Sequence, residues 1–475
     1  MRFVRTSRSV SRIALLTPYD GGNLGDGAIQ EALIDNFRRF VPQAWICGIT
    51  LNPERTATLH SIPCYPLAVN SRPHYTAKTR SDPADSRDLQ KSLTTDGVSV
   101  DFFRRWMSRA RSSLLLKPIK FLFRFMKEIR HVFRSYRLLR RIDLLMVAGG
   151  GQLDEEWGGI WGHPYALMKW SILARVAGTE IAFLSVGGCR IESRISRQFV
   201  KLALSLAYYR SYRDEGSRQI ALGISRAADG PIVPDLAFSL PLSRNQPEME
   251  SGRKPTRVGV SPIAFARPGL WPTERISIYR RYMTELSAFV ASLLQSGMSV
   301  ILFSSSTPDD QTFQDLRDRV SSQIEKGDLT RLSSREVVTV AELVECLRSV
   351  DLVVASRLHG LLLSFLAEKP SIAISYDRKV NSLMEDMGQT DYCLDILSFT
   401  SHELLETFHA LHANAALIPG KLTTIRHLYE QLLENQYCHV AGNVSPETGG
   451  APHSQTPGAP HAPVLEGKSD AEQLH

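Results

Sequence analysis

Leu352-Val353-Val354-Ala355-Ser356-Arg357-Leu358-His359-Gly360 is the stretch on which the reading of this chain turns. Four apolar residues make a short buried strand, which stops at a serine, an arginine and a histidine beside a glycine. A helical run over 361–367 and a further apolar strand over 372–374 follow at once. Strand, helix and strand at this spacing predict a crossover between parallel strands. Ligands of such sheets bind beyond the carboxyl ends of the strands, which is where Ser356, Arg357 and His359 fall. A guanidinium is a fixed fork for carboxylate or phosphate, an imidazole titrates near neutral pH, and a helix N-terminus favours anions. A lone histidine is more often structural, but the strand end and the neighbouring arginine favour an anion-handling site.

The same rhythm extends outward in both directions. Apolar runs over 13–17, 45–50, 144–148 and 181–186 predict strands in the first half, and those over 258–260 and 300–303 join 352–355 and 372–374 in the second. Helical periodicity covers 28–40, 165–177, 196–207, 278–296 and 341–349. Alternation of this kind across two blocks predicts an α/β fold with two Rossmann-like domains built on parallel sheets. The divisions are a flexible N-terminus over 1–11, a first domain over 12–240, a linker over 241–256, a second domain over 257–440 and a disordered tail over 441–475. The polar stretch 70–96 reads as loop or disorder, and 102–139 as amphipathic helix broken near Pro118.

Three further segments put chemistry at strand ends. In Gly22-Asn23-Leu24-Gly25-Asp26-Gly27 the glycines allow a tight turn, and Asp26 reads either as a helix cap or as a site carboxylate. The segment is neither a phosphate-binding Walker loop nor a dinucleotide fingerprint, because no Gly-Lys-Ser/Thr follows and the glycine spacing differs. Gly149-Gly150-Gly151 ends a strand, and three glycines in a row are costly to order unless a ligand or the opposite domain approaches the backbone. Arg213 stands between a strand and a helix, and the bland alternative is a surface arginine paired with Asp214 or Glu215. Lys379, after the strand over 372–374, is either a second cationic contact or part of a solvated turn.

Charge is concentrated in one place. The chain carries +7, yet 102–141 holds thirteen Lys and Arg against Glu128 alone, a net +12 that leaves −5 for the rest. Interleaved with Phe103, Trp106, Leu122, Phe123, Phe125 and Met126, these cations read either as packed helices with a solvated basic face or as a membrane-surface element. No nucleic-acid reader module accompanies them. No Cys or His spacing suggests a metal site, six scattered cysteines fit a reducing compartment, and no apolar run approaches the length of a spanning helix. The expectation is a cytoplasmic protein, with peripheral contact at the inner face of the membrane through 102–141.

With these pieces in order, the chain resembles the polysaccharide pyruvyl transferase family. The matching segments are Gly22 to Asp26, Val147 to Gly151, Tyr212-Arg213-Asp214-Glu215 with Ser217, Pro234-Asp235, Ser356 to Gly360, and Glu368 to Ile372 through Tyr376 and Lys379. Where many members carry Gly-Pro, this chain has Gly187-Gly188-Cys189-Arg190. The resemblance implies an architecture similar to the GT-B glycosyltransferases, with parallel sheets facing a cleft. It implies phosphoenolpyruvate as co-substrate, no other cofactor and no metal, and a glycan or lipid-linked sugar as acceptor. Arg213, Arg357, His359 and Lys379 would then bind the donor. His359 would protonate it or hold its leaving phosphate, and Asp26 would orient the acceptor or act as base. Asn23, Gly25, Gly149, Gly150, Gly151 and Ser356 would line the cleft. Two rival readings stand beside this one: a nucleotide-sugar glycosyltransferase on the same scaffold, and a non-enzymatic component that docks a glycan-assembly complex at the membrane.

Overall fold

The computed structural model describes residues 11–69, 117–155, 158–242, 256–268, 275–306, 309–325 and 327–442. Residues 1–10, the polar stretch 70–96, the basic segment before Lys117, most of the linker and the tail from 443 lie outside them.

The first sheet contains β1 (Arg12–Leu16), β2 (Trp45–Thr50), β3 (Cys64–Pro66), β4 (Leu144–Ala148), β5 (Gly151–Leu153), β6 (Glu180–Gly188) and β7 (Tyr209–Tyr212). The second contains β8 (Arg257–Ser261), β9 (Ser299–Phe303), β10 (Leu332–Arg335), β11 (Leu352–Ala355), β12 (Ser371–Ser375) and β13 (Cys393–Asp395). Every pairing is parallel. The orders are β3-β2-β1-β4-β6, with β5 and β7 both on β6, and β10-β9-β8-β11-β12-β13. Each order therefore reverses direction once, between β1 and β4 and between β8 and β11. That reversal opens a crevice at the strands' carboxyl ends. Helices cover both faces, so the central strands are apolar throughout: all of β4 and all of β11 are buried.

Local chemistry sets the helix ends. The helix Val340–Arg348 opens on a capping box between Thr339 and Glu342. The helix His163–Ala177 closes on Gly178 at φ +80°, a conformation glycine adopts without strain. Two helices begin earlier than their periodicity predicts, Leu24–Phe40 and Leu358–Leu366. The basic helix is described over Lys117–Leu139 with Pro118 in its first turn, and the residues before it, on which the expected break near Pro118 also depends, lie outside the described residues. No helix among the described residues is long and apolar enough to cross a membrane.

The last helix, Ile418–Ala441, bridges the halves. On the first half, the Tyr437 ring packs edge-on to Phe37 and its hydroxyl bonds Ser239 Oγ, while Glu434 pairs with Arg39. Gln436 joins the buried hydroxyls of Ser185 and Ser211. On the second half, Arg426 pairs with Glu368.

Candidate active site

Strand ends of both sheets deliver the polar residues of the cleft, Asn23 and Asp26 after β1, Arg213 after β7, His359 after β11 and Lys379 after β12. β1 leads through a turn to Asn23, whose Oδ1 accepts from the Gly25 amide and caps the first helix. The cap is thus Asn23 and not Asp26. Asn23 Nδ2 also donates to Asp26 Oδ2 over 2.9 Å, which holds the carboxylate inside the first turn. Across the cleft, Asn23 bridges Ser306 and the Leu24 amide donates to Ser305 O. The two halves touch at this turn.

β11 leads directly into the helix Leu358–Leu366, so His359 sits in its first turn. The imidazole lies flat against Gly25 of the opposite half. A Cβ added to Gly25 would stand 2.1 Å from the ring, so only glycine admits this contact. His359 Nε2 is 3.6 Å from Asp235 Oδ2, an ion-pair distance too long for a hydrogen bond. The same Asp235 oxygen accepts from Arg213 Nη1 at 3.3 Å. Arg213 also donates from Nε to Asp214, which caps the following helix. The surface pairing expected for Arg213 is therefore half of the picture, because its side chain is only 12% exposed and its second partner is the buried Asp235.

The charges are mutually fixed. Burial works against an ionised Asp235, yet His359 and Arg213 hold its carboxyl down to about 2. Burial raises the Asp26 carboxyl above the usual range; His359 opposes that shift and Asp235 adds to it. Asp26 Oδ1 also lies close over Gly150, the second of two glycines at positive φ after β4.

Gln152 holds that glycine turn by donating to Ala148 O and Gly149 O, and it accepts from His163 Nε2 at 2.9 Å. Burial pushes His163 down to about 4. A histidine near 6.5 when unfolded stabilises the fold fully above that pH, and the contribution is lost as pH falls toward 4. The stability advantage of the native chain over His163→Gln should therefore be about 3 kcal/mol larger at pH 7 than at pH 4. Urea titrations at both pH values measure it.

Not every expected residue joins this cluster. Arg357 leaves the helix start toward Asp309, donating from Nε and Nη2 to its two oxygens at 2.7 and 2.9 Å. Ser356 is buried against Tyr282, its hydroxyl 3.3 Å away. Gly149 packs on Leu236 and Ile29. Lys379 stands in the first turn of the helix Arg378–Asp386, 3.3 Å from Asp377 and 5.3 Å above the Tyr376 ring. Against the cost of burial, Tyr376 and Asp377 hold its ammonium above the ordinary lysine range. Arg213, Asp235 and Lys379 line one open pocket together with Phe238, Leu358 and Leu362. Asp386 is on its wall, pushed up to about 6 by burial and by Asp214. Sequence reasoning gave no role to Asp235, Asp309 or Asp386. Pro234-Asp235 was visible as a motif, whereas nothing local marked the other two.

The whole arrangement is similar to solved two-domain structures. An S. aureus MnaA solved with UDP aligns over 90% of this chain and 96% of its own, with a TM-score of 0.52 at 9% identity. A glycosyltransferase from Rickettsia africae aligns over 93% and 100%, with a TM-score of 0.51 at 7% identity. A UDP-GlcNAc 2-epimerase from Neisseria meningitidis, bound to UDP-GlcNAc, aligns over 91% and 99%, with a TM-score of 0.50 at 10% identity. At such identities the likeness is one of fold, the GT-B architecture, and not of activity. No curated protein matches the chain. The model of one family, polysaccharide pyruvyl transferase, matches residues 23–378, a span that opens on the capping Asn23, contains Asp26, Arg213, Asp235, Arg357 and His359, and stops one residue short of Lys379; the chain belongs to that family.

Proposed function

We propose that the protein transfers the pyruvyl group of phosphoenolpyruvate to two hydroxyls of a sugar, in a surface polysaccharide or its precursor, forming a ketal and releasing phosphate. The observation that carries this reading is the buried Asp235 held between Arg213 and His359 at the carboxyl ends of both sheets. Asp235 thereby holds the His359 ring in the cleft, where an imidazole can give a proton to the donor or bind its leaving phosphate. The donor carries two anionic groups on one small frame, and Arg213 and Lys379 line one pocket that suits such groups.

On this reading a proton reaches the donor's methylene carbon and C2 becomes electrophilic. One sugar hydroxyl adds there and loses its proton, the C2–O bond to phosphate breaks, and the second hydroxyl closes the ketal with loss of its own proton. Asp26, whose raised carboxyl makes it a stronger base than an ordinary aspartate, takes a proton from the acceptor. Arg213 and Lys379 carry the positive charge that faces the donor, while Asp309 holds Arg357 at the start of the neighbouring helix.

The direct test is phosphate release from phosphoenolpyruvate against a panel of glycans and lipid-linked sugars. Release that depends on one acceptor supports the reading. Thermal stabilisation by nucleoside diphosphates but not by phosphoenolpyruvate would move the assignment to a nucleotide-sugar glycosyltransferase. Lys379→Met, the mildest change to the cationic set, should lower kcat/KM for phosphoenolpyruvate by roughly tenfold or more, mainly through KM.

A further inference from the structure

The helix Lys117–Leu139 leaves an apolar stripe uncovered. Leu122, Met126, Ile129 and Phe133 recur at i, i+4, i+7 and i+11, which places them on one line along the helix. With Phe123 and Phe125 beside them, they are 47 to 60% exposed. The opposite side of the helix is the packed one: Ser135 and Leu139 are buried, and His131 bonds Pro66 O. Glu128, the helix's one acid, also turns inward, where Lys169 Nζ and Tyr165 OH donate to it. Arg124, Lys127, Arg130, Arg134 and Arg137 remain exposed around the stripe, with Arg140 and Arg141 just past the helix end. Trp161 is 70% exposed nearby, its ring 5.7 Å from that of Tyr165.

An exposed apolar stripe of this size needs an occupant. A second copy of the chain would meet it through a two-fold axis and bring two rows of cations together, which like charge opposes. A surface that is anionic at its face and apolar just beneath matches both features of the helix at once. We propose that Lys117–Leu139 lies in the interface of an anionic membrane, with Leu122, Met126, Ile129 and Phe133 at the acyl boundary and the Lys and Arg side chains among the headgroup phosphates. Trp161, an aromatic ring with a polar edge, sits at headgroup level beside it. The inference does not depend on the reaction proposed above, and its test does not read activity.

The full chain should co-sediment with phosphatidylcholine vesicles containing phosphatidylglycerol at least about tenfold more tightly than with phosphatidylcholine alone, and the difference should fade at high salt. The combined variant Leu122→Asn, Met126→Gln, Ile129→Asn and Phe133→Gln should lose that binding while its unfolding temperature is unchanged. Arg124→Glu with Arg130→Glu and Arg134→Glu should lose the preference for the anionic lipid. Equal binding to both vesicles, or none to either, overturns the proposal. So does a large fall in unfolding temperature in the apolar variant, which would mean that other residues of the chain cover the stripe. A change of oligomeric state in that variant would assign the stripe to a second copy and overturn it equally.

Discussion

Replacing His359 by alanine should lower acceptor-dependent phosphate release by at least about 10³-fold, with the protein still folded. The side chain sits in the first turn of its helix, 3.6 Å from Asp235 and against Gly25. Its removal leaves Asp235 with Arg213 and with the amide of Ala237, so no buried charge is stranded. Loss of stability should therefore be small beside loss of rate, and circular dichroism with a thermal melt will separate the two. His359→Gln then divides the roles of the ring. A glutamine amide can donate a hydrogen bond to phosphate but cannot release a proton at neutral pH. Equal loss in both variants marks His359 as the acid, and recovery to within about tenfold in the glutamine variant marks it as a phosphate ligand. Near-normal turnover in both would remove His359 from the site.

The second large effect comes from a single methyl group. Gly25→Ala places a Cβ where the His359 ring now lies, 2.1 Å from Cγ and Nδ1. Gly25 is pinned by the Asn23 cap and His359 by its helix, so neither can yield cheaply. Overpacking of this kind costs about 1–3 kcal/mol, and the relief available is separation of the halves along the Asn23–Ser306 bridge. Activity should fall at least about 10²-fold, since a displacement of 1 Å at a reacting centre can cost that much. The double variant Gly25→Ala with His359→Ala should regain the stability lost in the first while remaining inactive. A double-mutant cycle in thermal unfolding measures the coupling, and additive costs would show that the ring and the glycine do not meet.

Much of this site was legible from strand ends. Parallel sheets buried on both faces leave apolar runs that end abruptly, so the runs over 144–148 and 352–355 pointed to Gly149–Gly151 and to Arg357 and His359. The helix starts are less legible, because a glycine ordinarily weakens a helix and so favours a later start. Gly25 and Gly360 both lie inside helices, and Gly25 there accommodates the His359 ring. A later start puts Asp26 at the cap, whereas Asn23 holds the cap and leaves Asp26 to face the cleft. What the sequence could not carry is pairing at a distance. Arg357 meets Asp309 forty-eight residues away, and His359 meets Asp235 across the two halves. Neither partner stands at a spacing that would betray it. The edge strands β3, β10 and β13 were equally silent, being three or four residues long and partly exposed.

The way the terminal helix returns to the first half has a mechanical consequence. The chain leaves the first half after Leu242, just past the turn Leu236–Ser239, and Ile418–Ala441 comes back beside that same turn through Tyr437 and Ser239. A return contact set beside the point of exit ties the halves along one edge, about which they can swing like covers. Every swing that parts Asn23 from Ser306 must also carry His359 off Asp235, because each pair has one member on either cover. Opening of the cleft and loss of that ion pair are thus a single movement. Only the closed cleft therefore assembles the Asn23–Ser306 bridge and the His359–Asp235 ion pair together.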